Sequence, residues 1–262
     1  MRVLYVAELV GKAGIYSLKK ALAELKSSHP WDFLIVCGDG ATGGNGLGRS
    51  HAAYIQKLGA DTITLGECCF YKKDLTENIE KMPFILRPEN LNHGSPGIGS
   101  KVFRAGDKRI AVTVLMGQNG FSRINANSPF TALAPILEKL RKQTPYIIVD
   151  FHAQATAEKM TLFYAADSHC SAVIGSHTRV QTADEKISAG GTAFISDAGR
   201  TGSMESVGGC DVNSRIQEYL TGIPDWTKDA WDSPQLQGVY LKLAQGGKAT
   251  SIERVRVAVQ AP

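Results

Sequence analysis

The sequence predicts a layered α/β fold containing two sheets of mixed pairing, and three observations carry that prediction. Short apolar runs alternate with helix-spaced patterns from residue 3 to residue 86. Two glycine-centred turns, Gly106-Asp107-Lys108 and Gln245-Gly246-Gly247-Lys248, each join apolar runs in the manner of a hairpin. A chain of 262 residues that is 43% hydrophobic can bury a sizeable core without disulfides or structural metals.

The elements follow in order. Residues 3–7 are an apolar run that reads as a buried strand. Ile15, Leu18, Leu22 and Leu25 then recur on one face of a helix over 15–26, and Pro30 lies just past its end. Residues 33–37 form the second strand, followed by a glycine-rich loop over 38–48 and a helix at about 50–58. A third strand at 62–65, a helix at about 73–81 and a fourth strand at 84–86 continue the rhythm, which implies parallel pairing with right-handed crossovers.

The middle of the chain changes character. Residues 101–105 and 109–115 flank the first turn as an antiparallel pair. A helix over 131–142, a strand over 146–150, a helix over 156–168 and short strands at 172–174 and 193–195 come next. Residues 239–243 and 252–259 flank the second turn. With no linker and no internal repeat, residues 1–262 read as a single domain. Only a stretch around 200–235 stands outside the pattern, as a small insertion. Its Trp226 and Trp231 lie in a polar segment and read as packing anchors.

Composition narrows the function classes. The 29 Lys+Arg against 25 Asp+Glu leave a net charge of +4 with no run of five basic residues, which argues against duplex nucleic acid as a partner. No apolar stretch reaches the roughly 18 residues of a membrane span. The opening MRVLYVAELVG reads as a strand rather than a signal peptide. Five cysteines are an odd number, and Cys68 and Cys69 are adjacent, so a disulfide framework is not expected and a reducing, cytoplasmic location is.

In layered α/β folds ligands gather at the carboxyl ends of strands. Glu8 follows the first strand, Asp39 the second and Gly66-Glu67-Cys68-Cys69 the third. His152 follows the strand at 146–150, and Gly175-Ser176-His177-Thr178-Arg179 follows the one at 172–174. Carboxylates and imidazoles are the ligands of a cation such as Mn²⁺, Fe²⁺ or Zn²⁺. Each residue alone has a plainer reading, as a turn former, a core histidine or a loop acid. Their coincidence at five strand ends points to a metal centre. Gly43-Gly44-Asn45-Gly46 suggests a phosphate cradle but lacks the Lys and Ser/Thr of a P-loop.

The chain resembles the YmdB-type metallophosphoesterases, bacterial proteins similar to 2′,3′-cyclic nucleotide 2′-phosphodiesterases. The segments that carry the resemblance are MRVLYVAELVGKAG, GDGATGGNGL, GADTITLGECCFYKKD, LRPEN, SPGIG, TPYIIVDFHAQATAEK, AVIGSHTRVQTADEKI and GTAFISDAGRTG. It implies a four-layer α/β/β/α metallophosphoesterase (calcineurin-like) sandwich with a dinuclear metal centre at one edge. Family members are often oligomeric, so a homo-oligomer is an expected partner state.

The motifs depart from the family pattern at the centre itself. Glu8 stands where the family has Asp, and Asp39-Gly40 where it has Glu-Asn. Gly66-Glu67-Cys68 replaces a Gly-Asn-His motif whose His is the family's general acid, and Arg179 replaces a second His. Asp150-Phe151-His152 is intact. By this resemblance one half-site becomes Glu8, Asp39, Gly40 and Arg179, and Arg cannot ligate a metal. The other becomes Asp39, Glu67, His152 and His177, all capable ligands.

The expectation is therefore at most one divalent ion, Mn, Fe or Zn, with Glu8, Asp39, Glu67, His152 and His177 as candidate ligands. Arg179 is expected within salt-bridge reach of Glu8 or Asp39, and it is the candidate for holding a substrate phosphate. Cys68 and Arg179 occupy the catalytic positions. Two functions from different classes follow: a phosphodiesterase acting on small phosphodiesters through one metal, or a non-catalytic scaffold or ligand-binding protein. The substitutions favour weak or absent hydrolysis, because each touches metal binding or proton transfer. Redox or thiol-metal sensing through Cys68-Cys69 is a third, minor reading.

Overall fold

A computed structural model describes residues 1–224 and 228–262. Trp226 lies outside the described residues. The chain opens with Arg2–Val6 (β1), Glu8–Leu9 (β2), Gly11–Ser28 (α1), Phe33–Cys37 (β3), Arg49–Lys57 (α2), Thr62–Thr64 (β4), Lys73–Thr76 (α3) and Ile85–Leu86 (β5). It continues with Ser100–Ala105 (β6), Lys108–Met116 (β7), Pro129–Arg141 (α4), Ile147–His152 (β8), Thr156–Ala166 (α5) and Ala172–Ser176 (β9). Lys186–Ile187 (β10), Ala193–Ile195 (β11), Arg200–Ser203 (β12), Val212–Thr221 (α6), Pro234–Leu243 (β13) and Ala249–Ala258 (β14) complete it.

Two mixed sheets result. One runs β2-β12-β13-β1-β3-β4-β5, with β14 also on β13; the other runs β10-β11-β9-β8-β7-β6. The crossover strands β1, β3, β4 and β5 are parallel, as are β7, β8, β9 and β11, while β13 and the hairpin partner β6 run antiparallel to their neighbours.

The period of two along each strand decides where side chains go. In β1, Leu4 and Val6 face a cluster that includes Leu18 and Leu22 of α1 and Ile55 of α2. Val3 and Tyr5 face the opposite way, into a cluster shared with Val112, Ile148 and Ile174 of the second sheet. The far side of that second sheet, with Ile147, Val149 and Val173, is covered by Leu133 and Leu137 of α4 and Leu162 and Phe163 of α5. Each fully buried aliphatic or aromatic side chain contributes about 1.5–3 kcal/mol. This explains why strands buried on both faces read as continuous apolar runs rather than alternating ones.

Four local expectations are corrected. The helix read at 15–26 begins at Gly11, where Asp229 accepts the Lys12 N–H at 3.0 Å, a cap supplied from 217 residues away. The helix read at 73–81 stops at Thr76 and resumes as a 3-10 turn at Ile79–Lys81, because the Asn78 amide bonds the Asp74 carbonyl. Glu8, read as the residue following the first strand, itself opens a short strand, in which Glu8–Leu9 pairs with Arg200–Thr201. The stretch around 200–235 is not wholly an insertion, since β12 joins the large sheet. Trp231 packs edge-on against Tyr16 with ring centroids 5.9 Å apart. All five cysteines are free and buried. Among the described residues no helix is long and apolar enough to cross a membrane.

Candidate metal centre

The carboxyl ends of β1, β3, β4, β8 and β9 converge, and each is followed or closed by a polar side chain of the site. Asp39, just beyond β3, is 1% exposed. It is fixed by the Gly66 N–H on Oδ1 at 2.7 Å and the Cys68 N–H on Oδ2 at 3.2 Å. Burial and the neighbouring Glu67 carboxylate push its carboxyl well above the usual range.

His152 ends β8 and is oriented by a relay. Tyr5 Oη donates to Asp150 Oδ2 at 2.7 Å, and Ser176 Oγ donates to Asp150 Oδ1 at 2.8 Å. With its hydrogen committed to Asp150, Ser176 Oγ accepts from His152 Nδ1 at 3.1 Å. That assignment leaves the Nε2 lone pair facing Glu67 and Asp39, the arrangement found behind metal-ligating histidines. Burial alone would lower the His152 pKa, but Glu67 and Asp39 outweigh it and raise it to about 10. Without a cation, a proton on Nε2 takes that place.

Glu67 receives His152 Nε2 in a short contact and His177 Nδ1 at 3.3 Å. Burial favours its neutral form, yet the two imidazoles prevail and hold it far below the ordinary carboxylate range. His177 Nδ1 also lies 3.2 Å from His152 Nε2. Donor atoms of Glu67, His152 and His177 lie within 4.8 Å of one another, as do those of Asp39, Glu67 and Cys68. Two imidazole nitrogens and clustered carboxylates are the donor types of a borderline divalent ion. Phe121 covers the imidazoles, its ring centroid 4.9 Å from that of His177 and 5.9 Å from that of His152.

Arg179 fills the other side. Its Nη2 and Nε donate to Glu8 Oε1 at 2.6 and 3.0 Å, Nη2 also to the Gly44 carbonyl at 2.8 Å, and Nη1 to the Gly208 carbonyl at 3.1 Å. Glu8 is 2% exposed, so the pairing relieves a buried charge. Gly40 lies against both: a Cβ there would sit 2.7 Å from Glu8 Oε1 and 2.9 Å from Arg179 Nη2. A ligand side chain at position 40 and this guanidinium therefore compete for one volume.

The loop that carries His177 and Arg179 is held from beneath. Both residues have positive φ, 98° and 59°. Between them, the Thr178 N–H and hydroxyl donate to Asp197 Oδ2 at 2.9 and 2.7 Å, and buried Lys159 Nζ donates to the same oxygen at 2.9 Å.

Of the residues read from the sequence, Asp39, Glu67, Cys68, His152 and His177 are brought together, while Glu8 belongs to neither donor group and serves Arg179 instead. Sequence reading missed Tyr5, Asp150, Ser176, Phe121, Lys159 and Asp197. Asp150 stood in the Asp150-Phe151-His152 motif and at the end of an apolar strand, but its part in orienting His152 was not read from either.

Gly66 is the point of closest approach, since a Cβ there would fall 2.3 Å from the His152 ring. Gly66→Ala is expected to displace His152 and weaken cation binding about 10–100-fold, the range for disturbing a metal's supporting groups. Isothermal titration with Zn²⁺ checks this, and an unchanged affinity would show that His152 does not bind the ion.

A family model described as YmdB-like protein matches residues 4–255. The chain belongs to that family. It is 35% identical over 258 residues to the 2′,3′-cyclic-nucleotide 2′-phosphodiesterase of Bacillus subtilis (strain 168), covering 98% of this chain and 97% of that one. A crystal structure of a novel phosphatase from Mycoplasma pneumoniae superposes with a TM-score of 0.91 at 30% identity, covering 100% of this chain and 95% of that one. A hypothetical protein from Thermus thermophilus gives a TM-score of 0.91 at 28% identity, with 100% of both chains covered. The YmdB-like family implies divalent metal use, and the donor groups just described are a candidate place for it.

Proposed function

We propose that this protein is a metallophosphoesterase-type hydrolase of small phosphodiesters whose centre holds one divalent cation rather than two, and whose turnover is weak or absent. The fold this reading assigns is one domain over 1–262, a four-layer α/β/β/α metallophosphoesterase (calcineurin-like) sandwich. The three apolar clusters support it. The setting is cytoplasmic, in keeping with five free cysteines.

The carrying observation is the Arg179–Glu8 pair at 2.6 Å beside Gly40, which occupies the space of a second half-site. In this reading Asp39, Glu67, His152 and His177 hold the ion. When bound, it supplies charge stabilisation to a phosphate oxygen and lowers the pKa of a bound water. Arg179 keeps positive charge at the other half-site. It cannot acidify a water as a second cation would, and its guanidinium nitrogens already donate to Glu8, Gly44 and Gly208. Cys68, at the family's general-acid position, is a poor proton donor because burial and the adjacent carboxylates push its thiol far up.

A second reading is an active one-metal phosphodiesterase acting on 2′,3′-cyclic nucleotides. The His152–His177–Glu67 donor group favours it. In the limit of no turnover the fold serves as a ligand-binding scaffold.

The discriminating experiment is elemental analysis of the purified protein together with assays on bis-p-nitrophenyl phosphate and 2′,3′-cyclic nucleotides. At most one transition metal per chain is expected, and two at full occupancy would overturn the reading. His152→Ala and His177→Ala should each remove whatever ion is present.

A further inference from the structure

We infer that the thiolate of Cys68 is itself a ligand of the cation, making the centre a mixed imidazole–carboxylate–thiolate site that selects zinc or ferrous iron over manganese or magnesium. The inference rests on the one-cation reading above and concerns which ion that site takes.

Three observations carry it. The Cys68 sulfur and carboxylate oxygens of Asp39 and Glu67 all lie within 4.8 Å of one another, and Glu67 also belongs to the histidine group. Cys68 is 3% exposed. Among the described residues its thiol has no hydrogen-bond partner, although its own N–H is bonded to Asp39 Oδ2 at 3.2 Å. The third observation is the contrast with its neighbour. The tight turn after β4 is closed by Cys69 N–H to the Gly66 carbonyl at 3.3 Å and Tyr71 N–H to the Cys68 carbonyl at 3.0 Å, and the two adjacent cysteines lie in different surroundings. Cys69 joins the apolar cluster beneath α1 and α2. Cys68 is left beside the Asp39 and Glu67 carboxylates, with the Arg179 guanidinium also near.

The geometry sets a buried, unpartnered sulfur against two carboxylates, a group of donors able to face one cation. A divalent cation held between them would take Cys68 as thiolate, its proton leaving to solvent, alongside carboxylate oxygens and imidazole nitrogens. Thiolate is a soft donor. Its presence biases a site toward Zn²⁺ or Fe²⁺ and away from Mn²⁺ and Mg²⁺, which prefer oxygen.

The test is cobalt substitution of the full chain, followed by competition with Zn²⁺ and Mn²⁺. The expected result is a near-ultraviolet thiolate-to-cobalt charge-transfer band in the unmodified protein. Cys68→Ser should lose the band, while Cys69→Ser and Cys210→Ser keep it. Cys68→Ser should also weaken Zn²⁺ binding by at least about tenfold, the lower end for disturbing a metal's surroundings, with Mn²⁺ binding nearly unchanged. Thermal unfolding in chelator, expected to be alike for all variants, separates loss of ligand from loss of fold. Cobalt bound without the band would overturn the inference and leave the one-cation reading standing. Equal losses of Zn²⁺ and Mn²⁺ affinity would do the same. A protein that binds no cation at all overturns both. The cobalt spectrum of the unmodified protein needs no variant, so a misfolded Cys68→Ser does not remove the test.

Discussion

Glu8→Asp, Gly40→Asn, Glu67→Asn, Cys68→His and Arg179→His, made together, are expected to raise hydrolysis of bis-p-nitrophenyl phosphate at least about 10²-fold, the scale of a single lost acid or charge-stabilising group. The metal content should rise from one ion per chain toward two. Three of the changes, at Glu8, Gly40 and Arg179, act as a unit because they share a volume. Gly40→Asn alone meets the Arg179 guanidinium at 2.9 Å and Glu8 Oε1 at 2.7 Å, and should destabilise the fold without adding a ligand. Shortening Glu8 and replacing Arg179 remove those two contacts, leaving only the Leu9 carbonyl at 2.9 Å to accommodate. The effects of Gly40→Asn and Arg179→His should therefore be strongly non-additive. Stability measured on the two single variants and the double variant checks this, independently of activity. If the unmodified chain already turns over at ordinary enzyme rates of about 1–10³ s⁻¹, the depleted half-site is not a handicap and the proposed function is wrong.

The parts of the molecule legible in the sequence were those with local causes. The runs that became β1 and β3 are apolar because both faces are covered, and Leu18, Leu22 and Leu25 mark one face of α1 whatever lies opposite. Strand ends could be read because strands could, and the fold brings Glu67 beside His152 and His177, and Asp39 beside Glu67. Charge balance anticipated the partner of Arg179, since buried carboxylates at the centre needed a cation from somewhere. What was illegible depends on distant pairing. Glu8–Leu9 is a strand only because Arg200–Thr201 lies beside it, and a two-residue strand has no period to detect. The start of α1 is set by Asp229, from the far side of the chain. The Tyr5–Asp150–Ser176 relay spans 145 residues between Tyr5 and Asp150. Each member alone looks like an ordinary core or strand-end residue.

Asp197→Ala should be among the most damaging substitutions outside the metal ligands. Asp197 is 0% exposed and Lys159 is 1% exposed, so removing the carboxylate leaves an ammonium uncompensated in the interior. Breaking a buried pair in this way costs about 3–5 kcal/mol, which for a chain of this size lowers Tm by about 6–20 °C. Lys159→Met should cost less. It leaves Asp197 still accepting from the Thr178 N–H and hydroxyl and from the Gly199 N–H at 2.9 Å, so that its charge remains solvated by fixed donors. Combining Lys159→Met with Asp197→Asn should recover part of the loss suffered by Asp197→Ala, because no unpaired charge remains. The second consequence is local. Thr178 is held between two residues of positive φ, a conformation costing about 1–3 kcal/mol at each and kept only while the surroundings enforce it. Once Asp197 no longer binds Thr178, His177 and Arg179 lose the constraint that aims them at Glu67 and Glu8. Zn²⁺ affinity should then fall even at temperatures where the variant is fully folded. Melting within about 2 °C of the unmodified protein would show that the interior tolerates the bare ammonium. An unchanged Zn²⁺ affinity in the folded variant would show that the loop keeps its shape without the Asp197 clamp.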